Sequence, residues 1–210
     1  GVTINDAIAA DLASQNEALS WLAGFDAPLS ATLRTTLDAQ GELGPLSAKL
    51  EMGKGALQPN AATAPIGFEA AQAYLTFDPT QDRLTFDQIE VESDLGWFSA
   101  SGQALLTEGA SGQTESMIAQ FQFRDLILTP SDAFPDPLKY DHAQVDLRLN
   151  FAPFSVDIGQ LYIAGEGMSL TGKGAVLATP EGWQTSFDLT GQETSQAALM
   201  SLWPEGMKPR

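Results

Sequence analysis

The chain has no cysteine and a single histidine. The first absence excludes a disulfide framework and any thiolate metal site. The second leaves His142 as the only source of imidazole chemistry. A hydrolytic triad needs a nucleophile paired with such a group, and no Gly-x-Ser-x-Gly elbow occurs. His142 follows Asp141 in a proline-rich stretch, where a solvent-facing or loop-packing side chain is expected. Asp132, Asp136, Asp141 and His142 lie close in sequence but lack EF-hand spacing, so no metal site is expected. The Gly-Lys-Gly triplets fall inside strand patterns, not between a strand and a helix, so no phosphate cradle or nucleotide cofactor is expected.

Basic residues are also scarce. Ten Lys and Arg stand against 27 Asp and Glu, a formal charge of −17. Backbone binding to nucleic acid needs clustered cations, so nucleic acid is excluded as a partner. Anionic membrane surfaces are disfavoured for the same reason. The acids are spread along the chain, as on a solvated polar face. A pair of carboxylates for glycoside hydrolysis needs only spatial proximity, and the acids are too many for sequence to nominate a pair. No apolar run approaches the roughly 20 residues that cross a bilayer. No basic segment followed by an apolar one opens the chain, so it carries no signal-peptide pattern. Gly1 and the abrupt end at Arg210 suggest a piece of a longer protein.

What is present is alternation. A length of 210 residues suits one domain or two small ones, and chains of this size bury roughly 70 % of their unfolded surface. Residues 3–23 predict a helix, with Thr3 as cap, Asp6 in the first turn, Ile8, Leu12, Leu19 and Leu22 on one face, and Gly24 as a stop. From Phe25 the period drops to two. Leu29, Ala31 and Leu33 alternate with polar residues, as do Leu46, Ala48, Leu50 and Met52. Gln58–Pro65 reads as a loop, and Asp78–Asp82 as a turn. Residues 107–116 read as a hairpin loop. In Ile118–Leu128 the alternation places Phe121, Phe123, Asp125 and Ile127 opposite Gln120, Gln122, Arg124 and Leu126. Pro130–Asp141 reads as a loop.

The cleanest half-buried strand is Val145, Leu147, Leu149 and Phe151 against Gln144, Asp146, Arg148 and Asn150. Phe154, Val156 and Ile158 follow, then Leu161–Leu177, broken by Gly165, Gly167, Gly172 and Gly174. Trp183–Leu189 is a further strand, with Phe187 and Leu189 expected to face inward. A short closing helix runs through Ala197, Leu199, Met200 and Leu202 to Pro204. The fold class expected is mainly β: an elongated, curved antiparallel sheet of repeated strand modules, with an N-terminal helix and a short C-terminal one. Its parts are 1–24, 25–193 and 194–210.

A repeat is visible. Gly53-Lys-Gly-Ala-Leu57, Gly102-Gln-Ala-Leu-Leu106 and Gly172-Lys-Gly-Ala-Val176 share a signature. Matching the last two pairs Leu84 with Phe154, Phe86 with Val156 and Val91 with Leu161. Ala71-Gln72 and Ala143-Gln144 recur at a similar offset. Stacked copies of one module would form a sheet open to extension at both ends.

Gly24-Phe-Asp-Ala-Pro-Leu29, Met168-Ser-Leu-Thr-Gly-Lys-Gly-Ala175 and Leu202-Trp203-Pro204 with Lys208-Pro209-Arg210 resemble the AsmA-like superfamily of bacterial envelope proteins, in particular its YhdP-type members. The resemblance implies a long β-sheet projecting from an inner-membrane anchor into the periplasm. It also implies carriage of phospholipid along an apolar groove, without catalysis and without a cofactor. Val145, Leu147, Leu149, Phe151, Phe154, Val156 and Ile158 would then face acyl chains. The alternative is a β-sandwich module binding carbohydrate or protein, with Trp97, Trp183 or Tyr162 as stacking surfaces.

Overall fold

Antiparallel pairing between sequence neighbours generates nearly the whole molecule. The computed structural model describes residues 1–15, 22–36, 44–109, 114–129, 137–165 and 167–192. The strands are β1 (Val2–Ile8), β2 (Phe25–Asp26), β3 (Pro28–Arg34), β4 (Leu46–Met52), β5 (Gly55–Leu57), β6 (Ile66–Asp78) and β7 (Arg83–Ser93). They continue as β8 (Gly96–Glu108), β9 (Thr114–Leu128), β10 (Leu138–Tyr140), β11 (His142–Phe151), β12 (Phe154–Gly165), β13 (Met168–Thr179) and β14 (Gly182–Gln192). Among the described residues one α-helix, α1, covers Ala9–Gln15. All fourteen strands belong to one open sheet, in the order β1-β3-β4-β6-β7-β8-β9-β11-β12-β13-β14. The short pieces β2, β5 and β10 continue β3, β4 and β11 beyond brief interruptions. No second sheet packs on this one among the described residues, so the β-sandwich alternative does not describe the fold.

Register exposes the repeat more clearly than sequence does. In β7, the three-residue step from Phe86 to Ile89 spans the two-residue step from Ala100 to Gly102 of β8. In β12, Ile158 to Leu161 likewise span Gly172 to Gly174 of β13. In β1, Ile4 to Ala7 span Leu29 to Ala31 of β3. On the other flank, Leu75 and Tyr74 pair Phe86 and Gln88, just as Leu147 and Asp146 pair Ile158 and Gln160. The same bulge therefore recurs at every fourth strand of the path, in β1, β7 and β12. A bulge adds a residue, bends its strand and increases the local twist. The repeat unit is four strands: β1 to β6, β7 to β11, then β12 onward.

This corrects the alignment read from the glycine signature. Pairing matches Phe86 to Ile158 and Gly102 to Gly174, an offset of 72 positions, not Phe86 to Val156 and Gly102 to Gly172. The Ala71-Gln72 and Ala143-Gln144 pairs keep that same offset. Glycine content misaligned the units because β13 has two glycines on one face where β8 has one. Each serves close approach: a Cβ on Gly174 would run into the ring of Phe187, and one on Gly102 into Phe121 Cδ1 at 2.6 Å.

The N-terminal segment departs most from expectation. Of the expected 3–23 helix, Ala9–Gln15 is helical and residues 16–21 lie outside the described residues; residues 3–8 are strand, and Thr3 is not a cap but the partner of Thr32. Val2, Thr3 and Ile4 are β-branched, and pairing with β3 outweighs their helical spacing. Asp6 lies in the β1 bulge at φ +50°, its N–H donating to Ser30 Oγ (3.1 Å). Ile8 is exposed. Leu12 and Leu22 do pack together, with Ala9 and Leu29. Leu19 and the 194–210 helix lie outside the described residues. Within Pro130–Asp141, Leu138–Tyr140 is strand, not loop, because it pairs with Leu126–Leu128.

Candidate functional site: the apolar face of the sheet

Directly paired residues project from the same side of a sheet, so partners can be followed from edge to edge. One such row runs Val2, Leu33, Ala48, Leu75, Phe86, Gly102, Phe121, Val145, Leu161, Gly172 and Leu189. The next runs Leu46, Phe77, Leu84, Ala104, Ala119, Leu147, Ile158, Gly174 and Phe187. On the other flank lie Ile4, Ala31, Leu50, Ala73, Ile89, Ala100, Phe123, Ala143, Ile163 and Leu170. No charged residue interrupts these three rows. A row from the reverse face reads Arg34, Ser47, Thr76, Thr85, Gln103, Gln120, Asp146 and Gln160.

The bulges hold this segregation in phase. A two-residue step keeps side chains on one face, and an extra residue inside the step restores the phase beyond it. The bulge between Phe123 and Asp125 of β9 is the clearest case. It places Leu126, only 9 % exposed, on the side of Phe123 and sends Ile127 to the other. Strict alternation put Leu126 with the glutamines, and the structure reverses that assignment.

Burial on this face runs against side-chain size. The buried apolar residues are mostly alanines, among them Ala48, Ala100, Ala104, Ala119 and Ala143. The larger Leu147, Leu149, Phe151, Phe154, Val156 and Ile158 are only half-buried. A small side chain sinks between tall neighbours, whereas a tall one is covered only if a second layer lies above it. Of the seven residues nominated from sequence, only Val145 is fully buried (6 % exposed), and all seven project from the apolar face.

Two places on the face are covered. Under α1, Ala9, Leu22 and Leu29 are buried, flanked by Leu12, Phe25 and Met52. Midway along, Leu126, Tyr140, Ala143 and Met168 form a second cluster with Phe98 and Phe123, whose rings meet edge-on at 5.3 Å. Burial raises the Tyr140 phenol above its ordinary range.

The 58–65 loop predicted from sequence reaches the far end of the sheet. Asn60 organises it, its side-chain oxygen accepting from the N–H groups of Ala62 (2.9 Å) and Thr63 (3.0 Å). The indole N–H of Trp183 donates to the Ala64 carbonyl (2.7 Å), and Asn60 Nδ2 donates weakly to the Thr179 carbonyl (3.4 Å). The loop enters β6 at the rim that carries the Ser93–Gly96 turn, whereas Thr179–Gly182 lies on the opposite rim. Trp183 shares the apolar face with its partner Ala178 and packs on Phe154, so the two rims are joined on that side.

The other nominated aromatics serve the polar side. Trp97 lines an open cleft of about 300 Å³ with Glu51, Gln72, Glu90 and Glu92. Both Glu90 carboxylate oxygens accept from amides, of Gln72 (2.6 Å) and Gln88 (2.7 Å). Tyr162 packs edge-on against exposed His142, which also lies 3.3 Å from Gln144 Nε2. Among the described residues no three acids or histidines gather as a metal-binding group, and no helix is long and apolar enough to cross a membrane. Compared with protein-family models, curated proteins and solved structures, the chain finds no match.

Proposed function

We propose that this chain is a non-enzymatic segment of an AsmA-like envelope protein, anchored in the parent to the inner membrane and lying in the periplasm, and that its apolar face shields phospholipid acyl chains. One observation carries the reading: one apolar row runs uninterrupted across all eleven strands of the path, with rows of nine and ten strands on either side of it and large side chains left half-buried. An acyl chain is the ligand whose chemistry matches such a surface. It needs no hydrogen bonds, can lie across many strands, and gains about 0.8 kcal/mol for each methylene removed from water. Water-exposed apolar surface of this continuity otherwise invites aggregation. The headgroup stays in solvent at a rim, which requires no dedicated charged pocket.

The test is a photoreactive residue at Leu149 on the apolar face, compared with one at Gln103 on the reverse face, in protein purified from a bacterial envelope. Lipid adducts identified by mass spectrometry should form from position 149 and not from 103. Equal labelling, or none with a native mass matching the bare chain, would reject the proposal.

A further inference from the structure

Two parts of the chain that lie far apart in sequence are each built before they meet. The 58–65 loop springs from one rim, where Leu57 pairs Ile66. Its shape is set internally. Besides the two N–H groups that Asn60 Oδ1 receives, the Thr63 hydroxyl donates to the Asn60 carbonyl (2.8 Å) and Gln58 Nε2 donates to the Thr63 carbonyl (2.8 Å). At the root of the loop the Gln58 N–H donates to the Gly24 carbonyl (2.7 Å). The Thr179–Gly182 turn is equally self-contained. The Thr179 hydroxyl donates to the Gly182 carbonyl (3.0 Å), and its oxygen accepts from the Glu181 N–H (3.2 Å). Trp183 beside the turn is held by Phe154, their rings 5.9 Å apart.

The meeting itself is slight. Among the described residues two hydrogen bonds cross it, from Trp183 to Ala64 and the weak one from Asn60 to Thr179. Gly182 also lies against the loop, since a Cβ there would be 3.4 Å from the Ala62 carbonyl. Yet this contact spans much of the molecule. β6 and β14 are seven steps apart in the sheet, about 34 Å if the sheet were flat. A hairpin loop of this length extends at most about 14 Å beyond its rim. Contact through Trp183, on the apolar side, therefore requires the sheet to curl with that side inward, and the loop closes the curl into a ring.

We infer that the 58–65 loop and Trp183 form a reversible clasp that gates entry to the apolar face. Preformed halves joined by few contacts part without unfolding either one, which is the make-up of a gate. The closed ring bars a lipid from entering sideways with its headgroup in solvent, and the open one admits it. The identity of the cargo rests on the acyl-chain reading, whereas the clasp rests on the geometry of the loop and the turn.

The chain has no cysteine of its own, so Ala62→Cys and Glu181→Cys, both at exposed positions, place one thiol on each half of the clasp in the full 210-residue protein. Spin labels on this pair should report a short distance. Adding Trp183→Phe removes the indole donor and keeps a ring against Phe154, and should raise the long-distance population roughly fivefold. A reducible bis-maleimide joining the same pair should slow transfer of a pyrene-labelled phospholipid from vesicles to the protein by about tenfold or more. Reductant should restore the rate, and Trp183→Phe should exceed it. Each variant is first matched to the parent by circular dichroism. If Trp183→Phe alters the fold, the crosslinked and reduced forms of one protein decide. Distances unchanged by Trp183→Phe, or transfer at one rate whether crosslinked or reduced, would overturn the inference. If no form takes up phospholipid, the acyl-chain reading fails, and the distances alone decide the clasp.

Discussion

The corner beneath α1 and the open floor around β11 and β12 are built from similar residues and behave differently. Beneath α1 a layer exists, and Leu29 is 5 % exposed. On the floor, Leu149 and Val156 pair directly yet stay half-exposed, because nothing described lies over them. The difference teaches that alternation creates an apolar face, whereas a second layer decides whether that face becomes core. Among the described residues, the buried apolar clusters therefore lie at the corner and around Tyr140, and no second layer covers the floor.

The largest test of that contrast is Leu29→Ala. Removing a fully buried leucine side chain should cost about 3 kcal/mol, measured as a lowered urea midpoint with unchanged slope. A smaller loss is expected for Leu149→Ala, about 1 kcal/mol, because much of that side chain already meets water. Equal costs at both positions would show the floor to be covered in solution and dissolve the comparison. The smallest effect concerns Tyr140. Its phenol is raised by burial, so the folded state holds its proton where the unfolded chain, titrating near about 10, has released it. Stability should be unaffected below that value and fall as pH rises beyond it. Tyr140→Phe should remove that alkaline slope, and a slope that persists unchanged would place the titration elsewhere.

Much of this was legible in the residues. Two-residue alternation from Leu29 through Leu189 gave the strands and their apolar side, and Ala, Pro and Asn gave the 58–65 loop. The side assignment failed at Leu126 and Ile127, since an added residue in a bulge leaves no compositional mark. It failed at residues 3–8 because a short β-branched segment beside polar residues fits either period, and only pairing with β3 decides. The glycine signature misplaced the repeat by two positions, as glycine records close contacts such as Phe187 over Gly174 and not register. The join between Trp183 and Ala64 had no signal at all: the residues are 119 positions apart, and neither belongs to a motif.

Sequence alone determined that this chain forms antiparallel strands with one greasy and one polar side, because side-chain alternation is a local property of an extended backbone. Tertiary structure decided the remainder. Bulges kept the sides in phase, the Ala9–Gln15 helix covered a corner, and a loop linked the two rims. Those outcomes depend on which distant strands meet, and a local pattern does not encode that choice.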